Sequence, residues 1–476
     1  MKHTLLILSL FGIMFLSSTD TIAQLQTLGE VIARAKNNST SAKIATSLKE
    51  NRNYLYESYK ATLKPQLSLS GNIADFSSDF FGVRQPDGSL IFLPRKQNYS
   101  NIGLSLSQQI GLTGGLLAVN SNLTRFDDFS RKEMQYSGNP FTVSLNQPLF
   151  AFNSFKWDRK IEPLKLEEAE KEYVRKVEIL SLTVTKLYFD VLDAQGDYTL
   201  AKKNLQNQKE ILEIENQKIK FGTTTKDKIL QLEIQLLKST QALALAEVKI
   251  RTSVFNLQSF IGDKDLDVSR LVLPEILPKL NITPKTAVEN ARKNRSEFTT
   301  FRIRQLEAKR DLDQAKRDRF KINLTTSFGY SNIGETLPLL YKRPNSQRAL
   351  TIGVSIPVLD WGRTKGKISI ANSNLNTNLY TVEQEEIAII SEVNNIVENM
   401  NLILENIEIS RKTEAVTEER YTLVMDRFRY GKVTVTDLNI AIDERDTAKR
   451  AYIGSLRRYW ESYYEIRSLI LSNLND

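Results

Sequence analysis

Apolar residues recur at strict four-three spacing through Tyr173, Val177, Leu180, Val184, Leu187, Val191, Ala194, Tyr198, Ala201 and Leu205. That pattern predicts the seam of a coiled coil rather than the wider apolar face of a globular helix. No proline interrupts the chain between Pro163 and Pro274, or after Pro357, and both stretches are rich in helix-forming residues. The first predicts a helix from about Ser154 to Lys220, roughly 100 Å long at 1.5 Å per residue. A rod of that length does not fold into a compact globule. Past Gly222 the seam resumes at Ile229, Leu232, Leu236, Ser239, Leu243, Ala246 and Ile250, on a returning helix.

The pattern is written twice. Pro357 follows Pro148 by 209 positions, and Gly431 follows Gly222 by the same 209. Shifting the middle of the first seam by 209 lands on Ile389, Val393, Ile396, Met400, Ile403 and Ile407, all apolar. Thr27–Asn38 (TLGEVIARAKNN) resembles Thr283–Asn294 (TPKTAVENARKN), and Leu67-Ser68-Leu69-Ser70 resembles Leu324-Thr325-Thr326-Ser327 at an offset of 257. The first copy therefore carries 48 extra residues between its strand start and Pro148. Internal similarity of this kind signals two copies of one structural unit. We divide the chain into residues 24–270, a linker 271–284 crowded by Pro274, Pro278 and Pro284, and residues 285–476.

Between the helical stretches the period changes to two. Phe141, Val143 and Leu145 alternate with Thr142, Ser144 and Asn146. The runs Ile102–Ser107, Ile322–Tyr330 and Leu350–Ile356 alternate in the same way. One face is apolar, whereas the other is small, polar and nearly uncharged. A half-buried soluble sheet satisfies the alternation, but Ser, Thr, Gly and Asn in place of Lys and Glu suit the lumen wall of a membrane β-barrel. Ser77–Asn98 and Asn332–Gln347, with Gly, Pro and charge, read as exposed loops. The extra Asn101–Ile110, Gly111–Gly115 and Leu116–Leu123 leave the strand count open: a further hairpin in the barrel, or one folded outside it.

Composition narrows the chemistry. The chain has 476 residues, 41% hydrophobic, 9% aromatic and 25% charged, with no cysteine and one histidine, His3. Lys2, the apolar Leu5–Leu16 and the small residues before Ala23 read as a signal peptide, residues 1–23, whose cleavage removes that histidine. An N-terminal membrane anchor is the competing reading. Thiolate and histidine catalysis and Cys- or His-based metal sites are thereby excluded, leaving only carboxylate, Lys or Tyr catalysis; we expect no enzyme, cofactor or metal. No later apolar run spans a bilayer as a helix, which leaves a soluble exported protein or a β-barrel. A net charge of +9 without basic clusters gives no reason to expect nucleic acid.

In order and duplication, the segments TLGEVIARAKNN, LKPQLSLSGN, SIPVLDWGR, FGTTTKDKILQLE and YGKVTVTDLNIA resemble the TolC-like outer-membrane efflux protein family. QPLFAFNSFKWDRKIEPLKLEEAEKEY is similar to Bacteroidetes-type members. The resemblance implies an α+β membrane protein with internal duplication. Long antiparallel coiled-coil helices would form a trimeric α-barrel reaching into the periplasm of a Gram-negative cell, and a few strands per chain would form a shared transmembrane antiparallel β-barrel, usually four. It also implies a passive exit duct for drug or metal efflux or type I secretion, served by a periplasmic adaptor and an inner-membrane RND or ABC transporter. One chain's open sheet edges forbid it from standing alone in lipid.

Gly222 and Gly431 mark the hairpin tips as helix C-caps, with Thr225 and Thr434 as N-caps of the returning helices. Phe221, Thr223, Tyr430 and Lys432 flank the turns as candidate adaptor contacts. By resemblance, Asp437 faces the pore constriction, where a threefold carboxylate ring favours cations and raises its own pKa values; a solvated acid favoured by the helix dipole is the alternative. Lys228 stands at the first-copy equivalent, after Asp227, and is a candidate partner for Asp437 on an adjacent tip. Ile440 and Val433 depart from the family's usual acid and Arg. Tyr459, Trp460, Tyr463 and Tyr464 read as core packing. The competing functions are a periplasmic adaptor, which has one hairpin rather than two, a secreted coiled-coil protein, and a carboxylate glycosidase.

Overall fold

The computed structural model describes residues 26–278 and 282–471; the signal peptide expected at 1–23 lies outside them. In chain order the elements are α1 (Leu28–Asn38), α2 (Thr40–Thr62), β1 (Gln66–Asn72), β2 (Phe76–Arg84), β3 (Leu90–Ile110), β4 (Gly115–Asp128), β5 (Glu133–Leu149), α3 (Ser154–Lys220) and α4 (Lys226–Ile261). After the linker come α5 (Pro284–Asn294), α6 (Ser296–Arg317), β6 (Lys321–Gly334), α7 (Leu337–Tyr341), β7 (Asn345–Ser355), α8 (Arg363–Arg429) and α9 (Val435–Ile470).

The duplication is plain in these lengths. Helices α1 and α5 each have 11 residues and each starts on a threonine capping box, Thr27 with Glu30 and Thr283 with Thr286. Helices α3 and α8 each run 67 residues, and α4 and α9 each run 36. The long helix expected from about Ser154 to Lys220 has those ends and carries Pro163 inside it, at the loss of one backbone hydrogen bond.

The chain forms two compact units, each drawing on both copies of the repeat. The first comprises residues up to 42, 180–279 and 401–463. Here the α4 seam is as the sequence predicts, with Ile229, Leu232, Ser239 and Ala246 buried. The α3 seam is wider than predicted. Besides Leu180, Val184, Val191 and Ala194, the side chains of Ser181, Thr185, Tyr188, Phe189 and Leu192 are buried, so this stretch packs on a broad face and not on a two-position stripe. The Tyr188 hydroxyl accepts from the Val272 amide (3.0 Å) and lies 3.1 Å from the Gln26 carbonyl; burial pushes its pKa up to about 12. The aromatic patch at the end of α9 holds the proline linker. Trp460 Nε1 donates to the Pro274 carbonyl at 2.9 Å, and the Tyr459 hydroxyl donates to that of Pro278.

The second unit, residues 43–179, 280–400 and 464 onward, contains a seven-stranded antiparallel sheet. The strand order is β1-β3-β4-β5-β6-β7, with β2 paired only to the outer part of β3. One rung across the sheet reads Ser68, Ser105, Asn120, Thr142, Gly329, Gln347; the next reads Leu67, Leu106, Val119, Val143, Phe328, Arg348. The alternation seen in sequence thus survives from strand to strand. Bulges between Asn120 and Asn122 and between Gly138 and Phe141 absorb Pro140, which has no amide for a ladder. Gly329 is needed at the joint between the copies, because a Cβ there would stand 2.5 Å from the Phe141 carbonyl oxygen.

Ser77–Asn98 is not the loop expected from its Gly, Pro and charge. Phe76–Arg84 pairs with Leu90–Asn98 as a hairpin closed at Gln85–Ser89, where Gly88 has φ +85°. Phe80, Phe81, Val83, Ile91 and Phe92 are strong strand formers, and Pro86-Asp87-Gly88 is the turn signal between them. In Asn332–Gln347, β6 extends to Gly334 and the short α7 forms before β7 begins at Asn345.

Candidate functional site

The two helical hairpins turn by the same construction, and both tips belong to the first unit. At Gly222 (φ +70°) the Thr223 amide donates back to Lys218 O (3.2 Å) and the Gly222 amide to Ile219 O (3.0 Å). At Gly431 (φ +71°) Lys432 donates to Arg427 O and Gly431 to Phe428 O, both at 2.9 Å. These are paired Schellman closures. Nothing lies near a built Cβ at either glycine, so left-handed backbone alone demands the residue. Thr225 Oγ1 then accepts from the Lys228 amide (3.4 Å), and Thr434 Oγ1 from the Asp437 amide (3.2 Å).

The tips are stiffened from within. Ile211 and Leu232 of the first hairpin pack with Tyr421, Met425, Phe428, Val435, Leu438 and Ile442 of the second. Val433 adds to this cluster, which is a physical use for an apolar residue two positions after the glycine. Arg429 donates to both Glu210 oxygens, at 2.8 and 3.3 Å. By contrast, Phe221 and Tyr430, at equivalent positions before each glycine, are 81% and 79% exposed.

The acids expected at the constriction are engaged locally. Asp437 completes a capping box: its carboxylate accepts from the Thr434 hydroxyl (2.6 Å) and amide (3.0 Å). The Thr434 hydroxyl, foremost, holds its pKa below the usual carboxylate range. Asp227 sits in the first turn of α4. Lys228 lies 3.6 Å from Glu215 of its own hairpin, not against Asp437 of the same chain.

Two groups escape sequence reasoning. Glu215 has a side chain 1% exposed. Burial raises its pKa, but the Lys218 ammonium at 2.8 Å and the charge of Lys228 more than reverse this, leaving it below its ordinary value. Arg445 is buried between Asp446 (2.5 Å) and Asn204 (2.8 Å), with its guanidinium 4.1 Å from the centre of the Tyr421 ring. Both occupy seam-like positions that heptad counting assigns to apolar residues. A charge inside a seam is legible only once its partners from other helices are known. Among the described residues, no acidic or histidine cluster is arranged to hold a metal, and no helix is long and apolar enough to cross a membrane.

The sequence matches the model of the family described as outer membrane efflux protein over residues 31–263 and 287–470. No curated protein matches at the sequence level. Among solved structures, the CmeC outer membrane channel of Campylobacter jejuni aligns with a TM-score of 0.66 at 14% identity, over 93% of this chain and 85% of that one. The outer membrane protein VceC of Vibrio cholerae aligns at 0.64 and 14%, over 94% and 96%. The MtrE outer membrane channel of Neisseria gonorrhoeae, crystallised in its open state, aligns at 0.63 and 16%, over 94% and 90%.

Proposed function

The chain belongs to the outer membrane efflux protein family, and from that premise we propose that it is the homotrimeric exit duct of a tripartite efflux or type I secretion system. It is an outer-membrane protein of a family of efflux channels, not of enzymes. In this reading the shared β-barrel sits in the outer membrane and the coiled-coil helices enclose a conduit in the periplasm. An adaptor docks on the tips at Phe221, Gly222, Thr223, Thr225, Tyr430, Gly431, Lys432 and Thr434. An inner-membrane RND or ABC transporter supplies the energy. The two repeats, 24–270 and 285–476, each give one strand-plus-hairpin unit to the wall.

The observation that carries the reading is the sheet with two free edges. Every residue of β1 and β7 is exposed in the single chain, and one face bears Leu67, Leu69, Leu350, Ile352 and Val354, each at least 60% exposed. Open edges and a bare apolar face are untenable together in water or in lipid until sister chains close the ring. Purified mature protein should run as a heat-sensitive trimer on unboiled gels and give discrete conductance steps in a planar bilayer. A detergent-free soluble monomer that leaves the bilayer silent overturns the proposal.

A further inference from the structure

The 48 extra residues of the first copy include β4 and part of β3, and these lie inside the sheet path rather than beside it. Strand β3 pairs with β1 through Asn101–Ser107 and, on its other side, with β4 through Gln97–Ile110; β4 then pairs with β5. Removing β4 would strip β3 and β5 of their partner on that side along more than ten residues each. The turn between β3 and β4 is also built in. Asn153 Nδ2 donates to the Gly111 and Leu112 carbonyls at 3.2 and 3.1 Å, and Gln147 Nε2 to that of Thr113 at 3.1 Å.

The hairpin obeys the same two-faced rule as its neighbours. On the polar face Ser105 donates to Asn120 Oδ1 at 2.7 Å, and Asn120 Nδ2 to Ser144 Oγ at 3.5 Å, linking β3, β4 and β5 in an amide-hydroxyl ladder. Another polar rung reads Gln66, Ser107, Ala118, Ser144, Ser327, Ala349. The two rungs of this face that run unbroken from β1 to β7, begun at Gln66 and at Ser68, carry no formal charge; Asp128 and Glu133 at one end of the face and Lys321 at the other lie beyond β1. The opposite face meets lipid, so this one meets the pore.

We propose that the β3–β4 hairpin is part of the barrel wall, so that each chain supplies six strands, and that along the rungs begun at Gln66 and Ser68 the wall shows the pore only amides, hydroxyls and small side chains, giving a wide uncharged belt that admits bulky polar solutes of either charge. This deepens the proposed function and rests on its trimer: three copies of the six-strand path make eighteen strands. At a spacing near 4.8 Å and a tilt near 40°, such a barrel is roughly 36 Å across between backbones, against roughly 24 Å for twelve strands. β1 and β7 run in opposite senses at the two edges, so identical copies join edge to edge with antiparallel pairing throughout.

The absence of native cysteine makes the test clean. Single variants Val119→Cys and Asn120→Cys on β4, with Val143→Cys and Thr142→Cys on β5 as reference, are labelled in proteoliposomes, and only heat-sensitive trimer is scored. Asn120→Cys and Thr142→Cys should react with a charged, water-soluble maleimide. Val119→Cys and Val143→Cys should resist it and take a lipid-soluble one. Alternation on β5 but none on β4 overturns the inference and leaves the channel standing; loss of alternation on both, or of the trimer, overturns the channel. Should a Val119 variant not assemble, Leu117→Cys with Ala118→Cys reads the same faces. Poly(ethylene glycol) fractions added from the outer side should enter past the twelve-strand limit, equally with amine, carboxylate or hydroxyl ends. Exclusion at the smaller size, or a clear preference for one charge, refutes the width or the neutrality.

Discussion

At the scale of single residues, the tips depend on a few positions with defined tasks. Gly222 and Gly431 occupy left-handed backbone with open space around them, so Gly431→Ala should cost about 1 kcal/mol through backbone strain alone. The cost should appear as faster amide exchange at Gly431 and Lys432, with the far end of α9 unchanged. Leu438 is fully buried in the tip cluster, and Leu438→Ala should cost about 2–5 kcal/mol by leaving a cavity, read as a lower denaturation midpoint of the helical signal. Glu215 has a depressed pKa, so its ion pairs stabilise the tip above the ordinary carboxyl range and that stability is lost as pH falls through the depressed value. Glu215→Gln should therefore flatten the acid limb of tip opening followed by hydrogen exchange; an unchanged limb assigns acid opening to another group.

At the scale of elements, repetition made much of the fold legible in sequence. The 209-residue offset between Pro148 and Pro357 is the offset between the starts of α3 and α8 and of α4 and α9. Equal spacing of turn residues requires equal helices between them. The α4 seam was readable because its buried residues Ile229, Leu232, Ser239 and Ala246 all fall on the counted stripe. The α3 stretch around Tyr188 was not, because Ser181 and Thr185 are polar by type yet bury their small side chains in a crowded interior, with the Thr185 hydroxyl returned to the Ser181 carbonyl at 2.8 Å. The β2–β3 hairpin was misread because its turn residues outweighed the aromatics flanking them. The β5–β6 joint between the copies rests on close backbone approach at Gly329, so Gly329→Val should prevent sheet completion and abolish the heat-sensitive gel band. Retention of that band shows that β6 pairs elsewhere.

At the scale of the whole molecule, an uncharged belt in the proposed barrel would move charge selection to the tips. Three Asp437 carboxylates near a threefold axis would favour cations, and their mutual repulsion opposes the downward pull of Thr434 on each. Asp437→Asn should shift the reversal potential in a salt gradient toward anions, and the wild-type cation preference should fade as pH drops into the carboxylate range. A reversal potential unmoved by the substitution reduces Asp437 to a helix cap. Asn120→Asp in the wall should by contrast add a cation preference that the native wall lacks.

The opposed directions of β1 and β7 also set a rule of parity. In the proposed barrel a lineage can enlarge the pore only by whole hairpins, of which β3–β4 would be one. A single added strand would force a parallel seam between neighbours and would deliver the chain to the cell exterior at the point where α8 must enter the periplasm. Growth two strands at a time leaves the helices, the tips and whatever docks on them untouched, so the width of the mouth is free to follow the cargo while the machinery below stays as it is.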